Sequence, residues 1–274
     1  MFIVDTHTHI FPDAAAERIL QFTSQQFKVK VYGKGTASDL LSQMDESGVG
    51  HAVIHMVATT PQSVKDINSW LIHLKEPRLV KFGTVLPFQQ DCREEIRRLK
   101  DSGIGGIKLQ PEVQGFTVDE AAVTYPLYEE LVKWGMAVMF HVGGNPVVTA
   151  HARSTPRMIL RVAQDFPELV IIGAHLGGLN MWDETARMLA GRENLYLETS
   201  MTYGRISASL AETIIRTHSL NRIFFGSDYP FAPIKESVQS ALSTPFVNDE
   251  EKKALMGLNA KAFFRIGEYS GGSS

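Results

Sequence analysis

A chain of 274 residues, 44% of them hydrophobic and 21% charged, has room for a sizeable core, and this balance excludes a disordered or fibrous polymer. Its 27 lysines and arginines stand against 30 acidic residues, giving a net charge of −3, so neither nucleic acid nor an anionic membrane is an expected partner and a small molecule is. Cys92 is the single cysteine, which excludes an internal disulfide and leaves no argument for an oxidising compartment.

The first apolar run, residues 2–4, leads into Asp5, His7 and His9. A strand turns alternate side chains to one face, so His7 and His9 are expected to point the same way, close enough to share one metal ion. A long connection follows over residues 11–36. Ser38 then opens a helix that stops at Gly48, and a second strand, residues 52–57, carries His55. A third strand is expected at 79–84, and a helix runs from Asp91 to Gly103. The fourth strand, 106–109, places Lys108 on the face opposite Ile107 and Leu109. After a second long connection, 110–124, a helix over 125–135 carries Pro126 early, where a helix tolerates it. The fifth strand ends at His141, Thr155 and Pro156 open another helix, the sixth strand precedes His175, the seventh covers 195–198 and the eighth precedes Asp228.

Eight nearly continuous apolar runs alternating with helices read as an α/β fold, a closed (β/α)8 TIM barrel. An open doubly wound sheet would carry a glycine-rich phosphate loop after its first strand, where this chain has histidines. No repeat or linker divides the chain, so a single domain over residues 1–270 with a flexible tail at 271–274 is expected. The start lacks a basic and apolar leader pattern and no run of about 18 apolar residues occurs, so a cytoplasmic protein is expected. A homo-oligomer is compatible with this reading.

Barrel enzymes collect their chemistry at the C-terminal ends of their strands. Four of the nine histidines, His7, His9, His141 and His175, fall at such ends together with Lys108 and Asp228, a joint placement that chance does not readily supply. The segments 4–12, 106–111, 140–143, 174–178 and 225–230 and the closing helix at 257–264 resemble the amidohydrolase superfamily, in the branch holding small metal-dependent hydrolases and aromatic-acid decarboxylases. The resemblance implies a divalent metal, zinc being expected, held by His7, His9 and His141, with Asp228 as a further ligand or as the partner of bound water. Three protein ligands leave an open position, as catalytic sites require. His175 would be an acid/base residue or electrophilic helper, and Asp5 would orient neighbouring groups. One ion per chain is expected. Two are the alternative if Lys108 is carboxylated and bridges them, His175 then becoming a ligand.

The remaining expectations are substrate contacts. Lys108 as a free amine would bind a substrate anion, and His55, Arg153, Arg205 and Tyr203 would line the pocket. His51, His73, His151 and His218 lie off the strand-end pattern and read as structural or solvated, Arg157 as a helix-surface residue, Cys92 as an incidental thiol, and Tyr229 as either packed or touching substrate. Gly143, Gly144, Gly177 and Gly178 read as tight turns. The leading activity is hydrolysis of an amide, lactone or ester of a small molecule by a metal-activated water. The alternative is nonoxidative decarboxylation of an aromatic or unsaturated acid in the same cage, disfavoured by a chain short for decarboxylase relatives and by the absence of an arginine motif that would fix an aromatic carboxylate. A barrel that binds metal or ligand without turnover ranks last.

Overall fold

The computed structural model describes residues 1–144 and 152–267. Eight parallel strands alternate with helices: β1 (Val4–His9), β2 (His51–His55), β3 (Leu79–Lys81), β4 (Gly106–Leu109), β5 (Ala137–Phe140), β6 (Ile171–Gly173), β7 (Leu195–Glu198) and β8 (Ile223–Phe224). They form a three-stranded sheet, β1-β2-β3, and a five-stranded sheet, β4 through β8. Single bridges join the two sheets at both seams, Gly83 to Ile107 and Thr8 to Tyr229. Backbone hydrogen bonds secure these seams, Lys108 N to Gly83 O at 2.8 Å on one side and Thr6 N to Phe225 O at 2.9 Å and His9 N to Tyr229 O at 2.7 Å on the other. The architecture is the (β/α)8 barrel.

Alternation along the strands separates two environments. Ile54, Ile107, Leu109, Val138, Phe140, Leu195 and Leu197 face outward into the main apolar cluster shared with the helices. Val4, Val53, Phe82, Met139, Ile172 and Phe224 fill the interior at the strand starts, against Ala260 and Ile266 from the C-terminal segment. Continuing inward positions toward the strand ends changes the chemistry. There the side chains are His55, Lys108, His141 and Glu198, all buried. Strict alternation from Val4 would put Thr6 and Thr8 inside and both histidines out. A register shift between Asp5 and Thr8 reverses this and delivers His7 and His9 to the interior.

Several local expectations are corrected. The connection 11–36 contains a 15-residue helix, Asp13–Phe27, and the connection 110–124 holds a short one, Pro111–Gln114. The second long helix, Ala37–Ser47, is capped by the Thr36 hydroxyl accepting from Asp39 N, so Ser38 lies inside it. Pro126 sits within a helix that already begins at Ala121. The Thr155 cap with Pro156 at the first helical position is as expected. The strands β3 and β8 are shorter than the apolar runs that announce them, because the last residues of each run turn into the site loops. The tail at 271–274 and His151 lie outside the described residues.

Candidate metal centre

His7 and His9 meet at the strand ends, their Nε2 atoms 3.2 Å apart and each 3.3 Å from Asp228 Oδ1. The far side of each ring decides what those nitrogens are. His7 Nδ1 lies 2.8 Å from Glu198 Oε1, a carboxylate oxygen that also accepts the backbone N–H of His175 at 2.8 Å, so His7 donates from Nδ1. His9 Nδ1 lies 3.2 Å from the His55 carbonyl, which can only accept. Both Nε2 atoms are therefore bare lone pairs facing one another and a carboxylate oxygen. Such an arrangement repels itself unless a cation lies among the donors. Atoms about 2.1 Å from a tetrahedral ion stand about 3.4 Å apart, so the observed separations fit one ion.

A second set of groups continues from the first. His141 Nδ1 is 2.9 Å from His175 Nε2, and His175 Nδ1 is 2.8 Å from Ser200 Oγ, which donates to Glu198 Oε1 at 2.8 Å. His141 Nε2 is buried without a partner among the described residues, as is His55 Nε2. The His55 ring stands edge-on to His7 and His9, 4.6 Å from each. Two overlapping donor groups result, His7 with His9 and His55, and His7 with His175 and Glu198.

Burial sets the charge of this cage. It holds His7, His55 and His175 well below the usual imidazole range and pushes His141 down to about 3, with Lys108 adding to the effect on His7 and His141. Those rings are neutral near pH 7, the form that ligates metal. Burial also lowers the Lys108 amine to about 8, against the opposing pull of Glu198 and Asp228. Burial also raises the Asp228 carboxyl, against the opposing pull of Lys108, and it raises Asp5 to about 7. Asp5 Oδ1 accepts from the backbone N–H of His7 and of Ser227, tying the two loops that carry His7 and Asp228.

The backbone is forced at the same places. His175, Leu176 and Asp228 adopt φ of 59°, 53° and 81°, a left-handed region that costs a side-chain-bearing residue about 1 kcal/mol or more and is held only by surrounding structure. The Trp182 indole donates to His175 O at 2.9 Å and Leu176 N to Glu198 O at 2.6 Å. Close approach explains two glycines of the sequence motifs. A Cβ at Gly226 would lie 2.3 Å from Glu198 Oε2, and one at Gly143, where φ is 100°, would lie 2.3 Å from Leu179 N. Turning and close contact account for them.

The other candidates divide clearly. Lys108 points inward, its Nζ 3.5 Å from His7 Nε2, and makes no ion pair among the described residues. Tyr203 donates its hydroxyl to Thr199 Oγ1 at 2.9 Å. It lines a cavity of about 200 Å³ with Tyr32, Arg205, Ser227 and Phe231, which adjoins the cage through Ser227, the neighbour of Asp228, and through Phe231, packed 5.8 Å from the His9 ring. Arg153 is exposed and contributes a backbone N–H to Glu112. Arg157 is exposed beside Glu184. His218 is a buried structural residue bonded to Leu195 O and Gly191 N, whereas His73 is exposed. Tyr229 donates to Asp39 Oδ2 at 2.5 Å, fastening the β8 loop to the helix Ala37–Ser47. Cys92 is buried, and burial pushes its thiol up to about 12. A cavity of about 730 Å³ beside Lys81, Phe82, Ala137 and Phe264 opens at the strand starts, away from these donors. Neither Glu198 nor Ser200 is among the site residues expected from the sequence. The signal for Glu198 was its place at the end of a strand.

A cage of imidazoles and carboxylates at the strand ends of a (β/α)8 barrel defines a barrel protein equipped for metal-assisted chemistry. The chain matches the model of the amidohydrolase family over residues 4–266 and belongs to that family. No curated protein matches the sequence. Its fold is similar to that of a 2,6-dihydroxybenzoate decarboxylase from Rhizobium, at 18% identity and a TM-score of 0.72 over 97% of this chain and 99% of that one. It is similar as well to a 5-carboxyvanillate decarboxylase from Sphingomonas paucimobilis, at 16% identity and 0.70 over 97% and 99%. A dihydroxybenzoic acid decarboxylase from Polaromonas sp. JS666, solved with manganese and the inhibitor 2-nitroresorcinol, gives 17% identity and 0.71 over 97% and 98%. At these identities the likeness is one of fold.

Proposed function

We propose that this chain is a metal-dependent nonoxidative decarboxylase of an aromatic carboxylic acid. The observation that carries the reading is Lys108, a buried amine among neutral imidazoles with no ion pair of its own among the described residues. A carboxylate substrate supplies the missing counter-charge, whereas a neutral lactone, ester or amide does not. The fold likeness to three decarboxylases supports the same reading, and because it extends over 98–99% of their chains, chain length does not argue against it.

His7, His9, His141 and Asp228 would hold one divalent ion, zinc or manganese. When bound, the ion would supply positive charge that draws electron density from the substrate. Lys108 Nζ pairs with the carboxylate, and Arg205 with Tyr203 and Phe231 receives the remainder of the ring. The bond between the ring and the carboxylate carbon breaks, its electron pair stays on the ring carbon, and that carbon takes one proton, so carbon dioxide leaves with no oxidant or reductant. The proton comes from solvent through Asp228, the carboxyl group placed beside His7 and His9. His175 has both ring nitrogens engaged and acts by positioning His141.

Hydrolysis is the second reading, and the same buried Asp228 carboxyl beside the donors favours it, as a base for water. Elemental analysis of the purified protein, followed by a panel of hydroxybenzoates, lactones, esters and amides, separates the two. Metal-dependent release of carbon dioxide is expected. Acid formation from a neutral substrate, with no carbon dioxide from any aryl acid, would refute the decarboxylase reading.

A further inference from the structure

We infer that Glu198 and Ser200 are positioning residues that set the imidazole tautomers of the cage, so that His7 and His141 both present bare Nε2 atoms to the ion. The inference rests on the proposed metal site and follows from counting protons. Glu198 accepts at both oxygens from groups that can only donate, His175 N at Oε1, 2.8 Å away, and Ser200 N at Oε2, 2.7 Å away. Its orientation is therefore fixed, and Oε1 is left to receive His7 Nδ1 and Ser200 Oγ, each at 2.8 Å.

Ser200 has one hydroxyl proton. Spending it on Glu198 leaves its Oγ as an acceptor for His175 Nδ1–H at 2.8 Å, a proton the Ser200 carbonyl at 3.3 Å also attracts. With that proton on Nδ1, neutral His175 has a lone pair at Nε2, which must accept from His141 Nδ1–H at 2.9 Å. His141 Nε2 is then a bare lone pair, in agreement with its lack of a partner among the described residues. The opposite direction would set the Ser200 and Glu198 oxygens against each other with no proton between them and would end with a proton on His141 Nε2, where a metal cannot bind. One carboxylate on β7 thus orders two ligands through two different routes, one direct and one relayed through Ser200 and His175.

The test is made on the metal-free protein, by nitrogen-15 NMR of the imidazole rings at neutral pH. His7, His141 and His175 are expected as Nδ1–H tautomers before any ion is added; an Nε2–H tautomer at His7 or His141 overturns the inference. A Ser200→Ala variant is expected to weaken binding of Zn2+ or Mn2+ about 10-fold in chelator competition, the low end for such partners because the Ser200 carbonyl remains beside His175. Unchanged affinity would also overturn it. Neither readout uses turnover. A protein that binds the ion with these tautomers but releases no carbon dioxide sinks the decarboxylase reading and leaves this inference standing. Wrong tautomers in an active decarboxylase sink this inference alone.

Discussion

Replacing Lys108 by methionine exchanges a buried amine for an apolar group of similar length, and the structure predicts that the metal-free protein becomes more stable while the enzyme becomes inactive. Burial brings the amine from its ordinary 10.5 to about 8, against the attraction of Glu198 and Asp228. Below pH 8 the folded and unfolded chains both carry the proton, and the folded state bears the whole cost of burying the charge. That cost is roughly 3 kcal/mol. Between pH 8 and 10.5 the unfolded chain binds more protons than the folded one, so this group makes wild-type stability rise with pH across that window and adds nothing further above it. Lys108→Met should remove the rise and gain up to about 3 kcal/mol at pH 7, less whatever Asp228 loses with its neighbouring cation. For a chain of this size that is about 5 °C or more in Tm. The assay is urea or thermal unfolding of both proteins in chelator, from pH 7 to 10.5. A variant less stable than wild type at pH 7, with the wild-type pH slope retained, would show that the lysine is not a strained amine; a carboxylated or tightly paired side chain would behave in that way.

His141→Ala is expected to abolish stoichiometric metal and turnover together, whereas His175→Ala should weaken metal by about 10- to 100-fold and lower turnover, since it removes the acceptor of the His141 proton. Elemental analysis after gel filtration distinguishes them, and equal retention of metal in both variants would contradict the assignment of His141. Gly226→Ala places a methyl carbon 2.3 Å from Glu198 Oε2, so a loss of about 1–3 kcal/mol in denaturant unfolding should accompany weakened metal binding. A fully stable, metal-replete Gly226→Ala protein would count against Glu198 as the fixed point of the cage. Cys92, with its thiol pushed up to about 12, should resist a disulfide exchange reagent at pH 7.5 until the protein is unfolded, and rapid labelling of the native protein would contradict its burial.

Much of the barrel is legible because its signals are local. Apolar runs buried on both faces, capping pairs such as Thr155 with Pro156, and polar residues at run ends locate the strands and the cage side chains without tertiary information. What was not legible depends on contacts between distant segments. The shift in β1 that turns His7 and His9 inward exists because β1 pairs with β2 on one side and with the β8 loop on the other. Nothing in residues 4–9 alone announces it. Ser200 is a small hydroxyl residue past a strand end, indistinguishable in sequence from a turn residue until His175 and Glu198 are brought to it. Arg153 shows the converse: its position in a site-side loop is right, but it is exposed and anchors that loop through its backbone.

The interior of the barrel divides stability from chemistry along its own axis. At the strand starts, Val4, Val53, Phe82, Met139, Ile172 and Phe224 bury apolar surface in the barrel interior, which contributes to the free energy of folding. At the strand ends, five imidazoles, an amine and two carboxylates are taken out of water, and the His55 and His141 Nε2 atoms have no partner among the described residues. Three residues there also hold left-handed backbone. Each of these costs stability, and the unpaired nitrogens and the counter-charge demanded by Lys108 are costs that a bound cation and a bound anion relieve together. The same accounting explains why ion and carboxylate should stabilise the fold when they bind. It also explains why the residues least favourable to the empty protein, His7, His141, Lys108 and Asp228, are the ones assigned to its chemistry.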